Sequence, residues 1–477
     1  MKKFVAMLLL VAMIFTLAAC GNKPAETPAA DSDKASEPSE STAPAETAEP
    51  DKEEADITSW IINEDTSISG TVRWWMPFKG PAGMDALIAE FNEIYPNIKV
   101  ELTTYNNNAD GNMAVNTAIM AGEVDVLASF GLSNAMTRME NGLYLDITDK
   151  CEEEGIDLVA NWGTDAFMYD DCIYTFPCGG LSYYIAINMT AWNEAGLGEL
   201  PTEWTWDEYL DACRAMTKYN DDGSVAVYGG SDYHSVNYFT YCYGQQVGKN
   251  AYYTADGKAS FDSPEIIKAL QREYDAEVVE KIWFPKATYR ADNIQAQQTF
   301  CAGQTASTVI CNVTRFLADT ENYPVDWITG FAPWPVEEKG QTNYMSGVAP
   351  FSHAGICTGC QDEEAAWAFL KFYSTYGVKY LAAAGHQPNW KGTEAGSSLA
   401  LLFGSEEEAA KIVDIESHNR VVGVSTNPFY YEDELTAYTE INKILTEYAR
   451  YAINDEMQPA EAMAEAAKLA NEAIAAA

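Results

Sequence analysis

Histidine is scarce in this 477-residue sequence: there are four, His234, His353, His386 and His418, and no two stand at the spacing that would place them on one helix face. A catalytic zinc centre needs several such ligands held together, so none is expected, and no metal or cofactor is assigned. A G-x-S-x-G elbow and a dinucleotide fingerprint are both missing. The stretch Gly244-Gln-Gln-Val-Gly-Lys249-Asn250 has neither the loop length nor the closing Ser or Thr of a phosphate-binding loop. Positive charge is also in short supply, with 29 Lys and Arg against 71 Asp and Glu and a formal net charge of −42. Such a chain repels nucleic acid and anionic lipid surfaces, so neither is expected as a direct partner. Carboxylates are too abundant for a glycosidase pair to be excluded, because such pairs are defined by their separation in space. No catalytic residue is assigned.

A long apolar run without charge opens the chain. Lys2 and Lys3 precede Phe4 to Ala19, which ends in Leu17-Ala-Ala-Cys20-Gly21. This is the layout of a secretory signal peptide over residues 1–20. A membrane-spanning helix is the alternative, but about 20 apolar residues are needed to cross hydrocarbon, and the chain turns polar directly after Cys20. The Leu-Ala-Ala-Cys-Gly string resembles the bacterial lipobox, which implies cleavage before Cys20 and acylation of its thiol. Ordinary cleavage after Ala19 is the other possibility. Beyond Cys20, Pro24, Pro28, Pro38, Pro44 and Pro50 are spread among Ala, Ser, Thr and acidic residues, and no aromatic precedes Trp60. Such a segment buries too little apolar surface to offset chain entropy, so residues 21–66 are expected to form a disordered acidic tether.

About 410 residues follow, more than one hydrophobic core usually holds, which predicts two domains. Thr71–Trp75 predicts a strand, and Met84, Leu87, Ile88, Phe91 and Tyr95 form one helical stripe. Ile98, Val100 and Leu102 alternate with polar residues as in a half-buried strand. A helix over 112–121 and a strand over 124–128 continue the alternation, which implies a parallel sheet covered by helices. Leu181–Ile187 predicts another strand. The capping box Thr205-Trp-Asp-Glu208 and the Ser263-Pro264-Glu265 start predict helices. Further strands are expected at 307–311 and 328–331, and helices at 363–375, 435–453 and 459–474.

Besides Cys20 there are nine cysteines, an odd number, so at least one thiol is free unless it bonds another chain. Oxygen-free surroundings would tolerate that. Cys357-Thr-Gly-Cys360 has C-x-x-C spacing but lacks two further zinc ligands and the fold context of a redox motif. Aromatic residues are conspicuous instead, with 12 Trp and 28 Tyr. Trp74-Trp75-Met-Pro-Phe78, Phe130, Tyr238-Phe-Thr-Tyr241, Trp390 and Phe429-Tyr430-Tyr431 stand at strand ends or near Gly, Asn or Pro. Flat apolar faces with polar tips suit sugar rings, although core packing is the commoner use of any one aromatic.

In order along the chain, Ala89-Glu-Phe-Asn, Tyr95-Pro-Asn-Ile-Lys-Val100, Ala121-Gly-Glu-Val-Asp-Val126 and Asn141-Gly142-Leu are followed by Ile173-Tyr-Thr-Phe-Pro177 and Trp192-Asn-Glu-Ala-Gly196. Then come Trp204-Thr-Trp-Asp-Glu208 and Phe300-Cys-Ala-Gly303-Gln-Thr-Ala306. From about residue 68 this order resembles the solute-binding proteins of bacterial ABC importers, specifically the sugar-binding group that includes maltose-binding protein. The resemblance implies a two-lobed α/β fold of the periplasmic-binding-protein type (class II), with a hinge that the chain crosses several times. It places residues 67–178 and 326–378 in the first lobe and 179–325 and 379–477 in the second. It also implies a monomeric receptor, not an enzyme, that is lipid-anchored outside the cell membrane and passes an oligosaccharide or other sugar to a permease driven by an ATPase. Trp75, Phe78 and Phe130 are implied as ligand contacts from the first lobe. Ser182, Tyr183, Tyr238, Tyr241, Asn312, Arg315, Tyr430 and Tyr431 are implied from the second, and Trp390 joins the set as a loop aromatic. Ser129 and Phe130 stand where maltose-binding protein has tryptophan, which points away from a maltodextrin. Polyamine, peptide or glycerol phosphodiester cargo, and a glycoside-degrading lipoprotein, are the alternatives.

Overall fold

The apolar run at Thr71 and the alternating run at Ile98 form neighbouring parallel strands, Gly70–Met76 and Ile98–Thr104, paired from Gly70 opposite Ile98 to Met76 opposite Thr104. The computed structural model describes residues 57–77, 83–165, 167–232, 238–394 and 396–477. The signal segment, Cys20, most of the tether and Phe78 lie outside these residues, as does the side chain of Tyr238. Between the two strands the helix Met84–Ile94 turns Met84, Leu87 and Phe91 inward, the stripe its spacing predicts. Val126–Phe130 pairs in parallel on the other side of Gly70–Met76.

The six-stranded sheet runs in the order Gln387–Pro388, Phe176–Leu181, Ala349–Ile356, Val126–Phe130, Gly70–Met76, Ile98–Thr104. The three junctions among its first four strands are antiparallel, so the sheet is mixed, not parallel throughout as the sequence alternation implied. Trp74, Phe91, Phe369 and Phe372 form the core on one face, and Val115, Ile119, Met139 and Tyr144 pack in a second cluster. A separate antiparallel sheet joins Ser307–Ile310, Tyr184–Asn188 and Thr329–Pro333. Its strands are buried almost throughout, between a cluster holding Trp204, Trp206, Tyr209 and Leu270 and another holding Phe300, Phe316 and Leu317. Burial on both faces explains why Tyr184–Ile187 and Phe331–Ala332 show no alternation of polar and apolar residues.

Other expectations also differ from the structure. Leu181–Ile187 is not one strand: the chain leaves the first sheet at Leu181 and enters the second at Tyr184, with Ser182 and Tyr183 as the link. Thr329–Pro333, expected in the first lobe, pairs with Tyr184–Asn188 in the second sheet, whereas Gln387–Pro388, expected in the second, pairs with Phe176–Leu181 in the first. Apolar patterning marks a strand but does not encode which sheet its crossover reaches. Finally, the tether stops short of residue 66, because Trp60 and Ile61 are buried in the first core, with the Trp60 ring 5.8 Å from Trp162 and 6.2 Å from Phe176.

Local signals hold where the chain itself supplies the partner. Thr205 and Glu208 form the reciprocal capping box, and the Ser263 hydroxyl accepts from Ile266 N–H with Pro264 in the first turn. Each such cap contributes about 1 kcal/mol. The second helix, Pro264–Tyr274, runs into a π-helical turn, Asp275–Val279. Here Lys286 Nζ lies 2.5 Å from the carboxylates of both Asp232 and Glu273, and its backbone N–H donates to Glu277 at 2.8 Å. All four residues are buried. One cation among three carboxyls cannot offset burial for all of them, and Glu277 is pushed up to about 7, by desolvation first and then by Glu273.

Among the described residues the nine cysteines after Cys20 form no disulfide, and seven of them are buried. Burial, then Asp125, pushes Cys360 up to about 12, which keeps the C-x-x-C pair away from the thiolate form that reactivity requires. Among the described residues no helix is long and apolar enough to cross a membrane, and no group of His, Cys, Asp and Glu is placed to hold a metal ion.

Candidate ligand-binding site

Tyr183 sits where the chain passes from one sheet to the other, and further tyrosines from separate parts of the sequence line a cavity with it, Tyr438 among them. Tyr241 comes from the helix Tyr238–Val247, Tyr252 from the turn beyond it, and Tyr430 and Tyr431 from the segment before the helix Tyr438–Ile453. Together they line a cavity of about 200 Å³. The Tyr183 and Tyr241 rings are 5.1 Å apart with their hydroxyls 3.5 Å apart, Tyr430 follows at 6.2 Å from Tyr241, and Trp334 backs Tyr183 edge-on at 5.9 Å. The Tyr430 hydroxyl accepts from Ala251 N–H at 3.4 Å, fixing that ring. The result is a set of aromatic faces with hydroxyl tips, held by packing before any ligand arrives.

The opposite wall belongs to the six-stranded sheet. Ala349, Pro350 and Phe351 open the strand Ala349–Ile356, and its pairing with Phe176–Leu181 slips between Pro350 and Ser352. That irregularity leaves Phe351 outside the ladder and lining the cavity. The close approach of the two strands requires glycine: a Cβ on Gly180 would fall 2.1 Å from the Ala349 carbonyl oxygen. Phe167 and Leu132 complete this side. Behind Phe351, Phe130 stacks at 5.2 Å and in turn touches the His386 ring at 4.8 Å. Burial, then the charge of Arg315, pushes His386 down to about 4, so the imidazole is neutral near pH 7. A second cavity, of about 420 Å³, shares Tyr431 and is lined by Lys249 and Lys391.

Of the residues singled out in sequence, Tyr183, Tyr241, Tyr430 and Tyr431 are thus brought together. Phe130 supports the cavity from one layer behind. Trp75 is half-buried against the cluster that holds Tyr105 and Tyr144 and does not line the cavity. Ser182 is buried and accepts from Gly423 N–H at 3.4 Å. Asn312 takes a left-handed backbone (φ 49°) and accepts from Gln297 Nε2 at 2.7 Å, while Arg315 is exposed beside Phe316. Trp390 is a core residue, 3% exposed, packed edge-on to Tyr376. Sequence inspection missed Phe167, Tyr252, Phe351 and Glu432. Glu432 had a signal, since it directly follows Tyr430 and Tyr431; Phe351 had none, because Pro350 and His353 break the alternation of its strand.

Two α/β halves, each with its own sheet and core, joined by three passes of the chain and facing each other across an aromatic cavity, define a two-lobed binding protein of the periplasmic type. Residues 78–380 match the model of the bacterial extracellular solute-binding protein family, and the chain belongs to that family. No curated protein sequence matches it. Solved structures of similar fold include a sugar transporter protein from Rhizobium etli in an open conformation, at 16% identity over 86% of this chain and 100% of that one, TM-score 0.67. An ABC substrate-binding protein from Listeria monocytogenes in complex with cycloalternan is 18% identical over 86% and 100%, TM-score 0.64. Maltose-bound MalE3 of T. maritima is 19% identical over 84% and 99%, TM-score 0.61.

Proposed function

We propose that this protein captures a carbohydrate, an oligosaccharide or a smaller sugar, in the tyrosine-lined cavity and delivers it to the permease of an ABC importer. The observation that carries this is the convergence of Tyr183, Tyr241, Tyr252, Tyr430 and Tyr431 opposite Phe351 and Phe167. Ring faces stack on sugar C–H surfaces while the phenol tips bond hydroxyls. Walls from both halves favour closure, since a ligand drives a conformational change only by binding the closed state better. The structures of similar fold that hold cycloalternan and maltose support a carbohydrate over a peptide.

The role is that of a monomeric receptor, tied to the outer face of the cell membrane through acylated Cys20, with residues 21–56 as a tether that raises its effective concentration near the permease. Hydrolysis of a glycoside would need two carboxyls flanking the bond, and Glu432 is the one acidic residue among those described as lining the cavity. Thermal melting against a panel of mono- and oligosaccharides, polyamines and peptides tests the proposal. A sugar at about 100 times its dissociation constant adds about 2.7 kcal/mol of stability and raises the melting temperature. A shift with peptides or polyamines and with no sugar would overturn it.

A further inference from the structure

The cavity encloses one carboxyl, that of Glu432, to which the described lining residues bring no counter-charge. Both oxygens of Glu432 are shut off from solvent, and neither has a hydrogen-bond partner among the described residues. Its neighbour Asp433 is already engaged, 2.8 Å from Lys249 Nζ and bonded by Asn250 Nδ2 at 2.5 Å. No lysine or arginine is among the described residues that line the cavity. Burial raises the hydroxyl pKa values of Tyr241 and Tyr438, both in the same wall, and Glu432 adds to each rise. Burial leaves the Glu432 carboxyl well above the usual range; the nearby Ala251 amide, which donates to Tyr430 instead, opposes the rise only in part, and Asp433 adds to it. A buried carboxyl so placed is ionised at a cost unless a cation joins it.

Resting on the carbohydrate reading of the cavity, we propose that Glu432 and the surrounding tyrosines select a sugar bearing a protonated amine over its neutral counterpart. The ammonium group supplies the missing counter-charge and hydrogen-bond donors at once. The tyrosine ring faces, which carry negative potential, attract the same group, and the C–H face of the sugar ring stacks beside it. A net charge of −42 draws cations toward the protein before any contact is made. A neutral sugar hydroxyl can donate to the carboxylate or accept from the carboxylic acid, but it brings no charge and would leave the electrostatic demand unmet.

Calorimetric titration of the mature chain decides the matter. It should be run at about pH 6, below the ordinary pKa of an amine of this kind. The probes are matched pairs: glucosamine, galactosamine and mannosamine, and their short oligosaccharides, each against its hydroxyl parent. The best amino sugar is expected to bind at least about tenfold tighter than its parent. Glu432→Gln is expected to bring that ratio to within about twofold while the unliganded protein melts no lower than wild type. Should Glu432→Gln not fold, Glu432→Asp, which keeps the charge but withdraws it by one methylene, is expected to lower the ratio. Neutral parents that bind as tightly as the amines, or a preference that survives in the variants, would overturn the role of Glu432 and leave the carbohydrate reading standing. If no sugar of either kind binds, the carbohydrate reading itself falls.

Discussion

Replacing Glu277 by Gln tests the electrostatics of the buried cluster around Lys286. The Glu277 carboxyl has an ordinary pKa of 4.5 and is held at about 7 in the fold. The folded protein therefore keeps a proton there that the unfolded chain has lost, and stability falls as pH rises from 4.5 toward 7. At about 1.4 kcal/mol per pH unit, the full cost once the group is ionised is about 3 kcal/mol. Gln has the same shape, carries no charge and retains an oxygen to accept the Lys286 N–H, now bonded at 2.8 Å. Urea unfolding of the unlipidated mature chain between about pH 5 and pH 8 should show the two proteins alike at the acid end. The variant should gain up to about 3 kcal/mol at the alkaline end. Parallel pH profiles, or a variant less stable than wild type at pH 8, would refute the assignment of a destabilised carboxyl at this position.

Three other outcomes follow from the placement of single residues. Tyr431→Ala removes a half-buried cavity ring that Lys249 covers at 5.7 Å, and should weaken sugar binding about tenfold with little change in melting temperature, as titration calorimetry would read. Trp390→Ala empties a core position and should cost about 3–5 kcal/mol in equilibrium unfolding; lost affinity at unchanged stability would make it a ligand contact instead. In the cell, Cys20→Ser should abolish incorporation of metabolically labelled lipid, and label retained by the variant would refute lipidation at that thiol.

The opening strands and helices were legible because their partners are close in sequence. The period of Ile98–Thr104 and the stripe of Met84–Ile94 are fixed by one neighbour each, and the Thr205 and Ser263 caps need only the next turn. Phe176–Leu181 was not legible, since Pro177, Gly179 and Gly180 argue against a strand until the close contact with Ala349 is known. The same reason hid Ala349–Ile356 and, with it, Phe351. Within the site, the tyrosines that share a wall were foreseeable as a set. Tyr252 was not, and Glu432 was marked only by following Tyr430 and Tyr431, because the role of each depends on which loops meet across some 180 residues of chain, as Ala251 meets Tyr430.

Hydrogen exchange with and without a saturating sugar tests the central claim most directly. Capture between the two halves predicts slower exchange in both walls at once, around residues 349–352 on one side and 250–253 and 429–432 on the other, with the sugar recovered uncut. Protection confined to one wall, protection away from the cavity, or cleavage of the sugar would contradict the account.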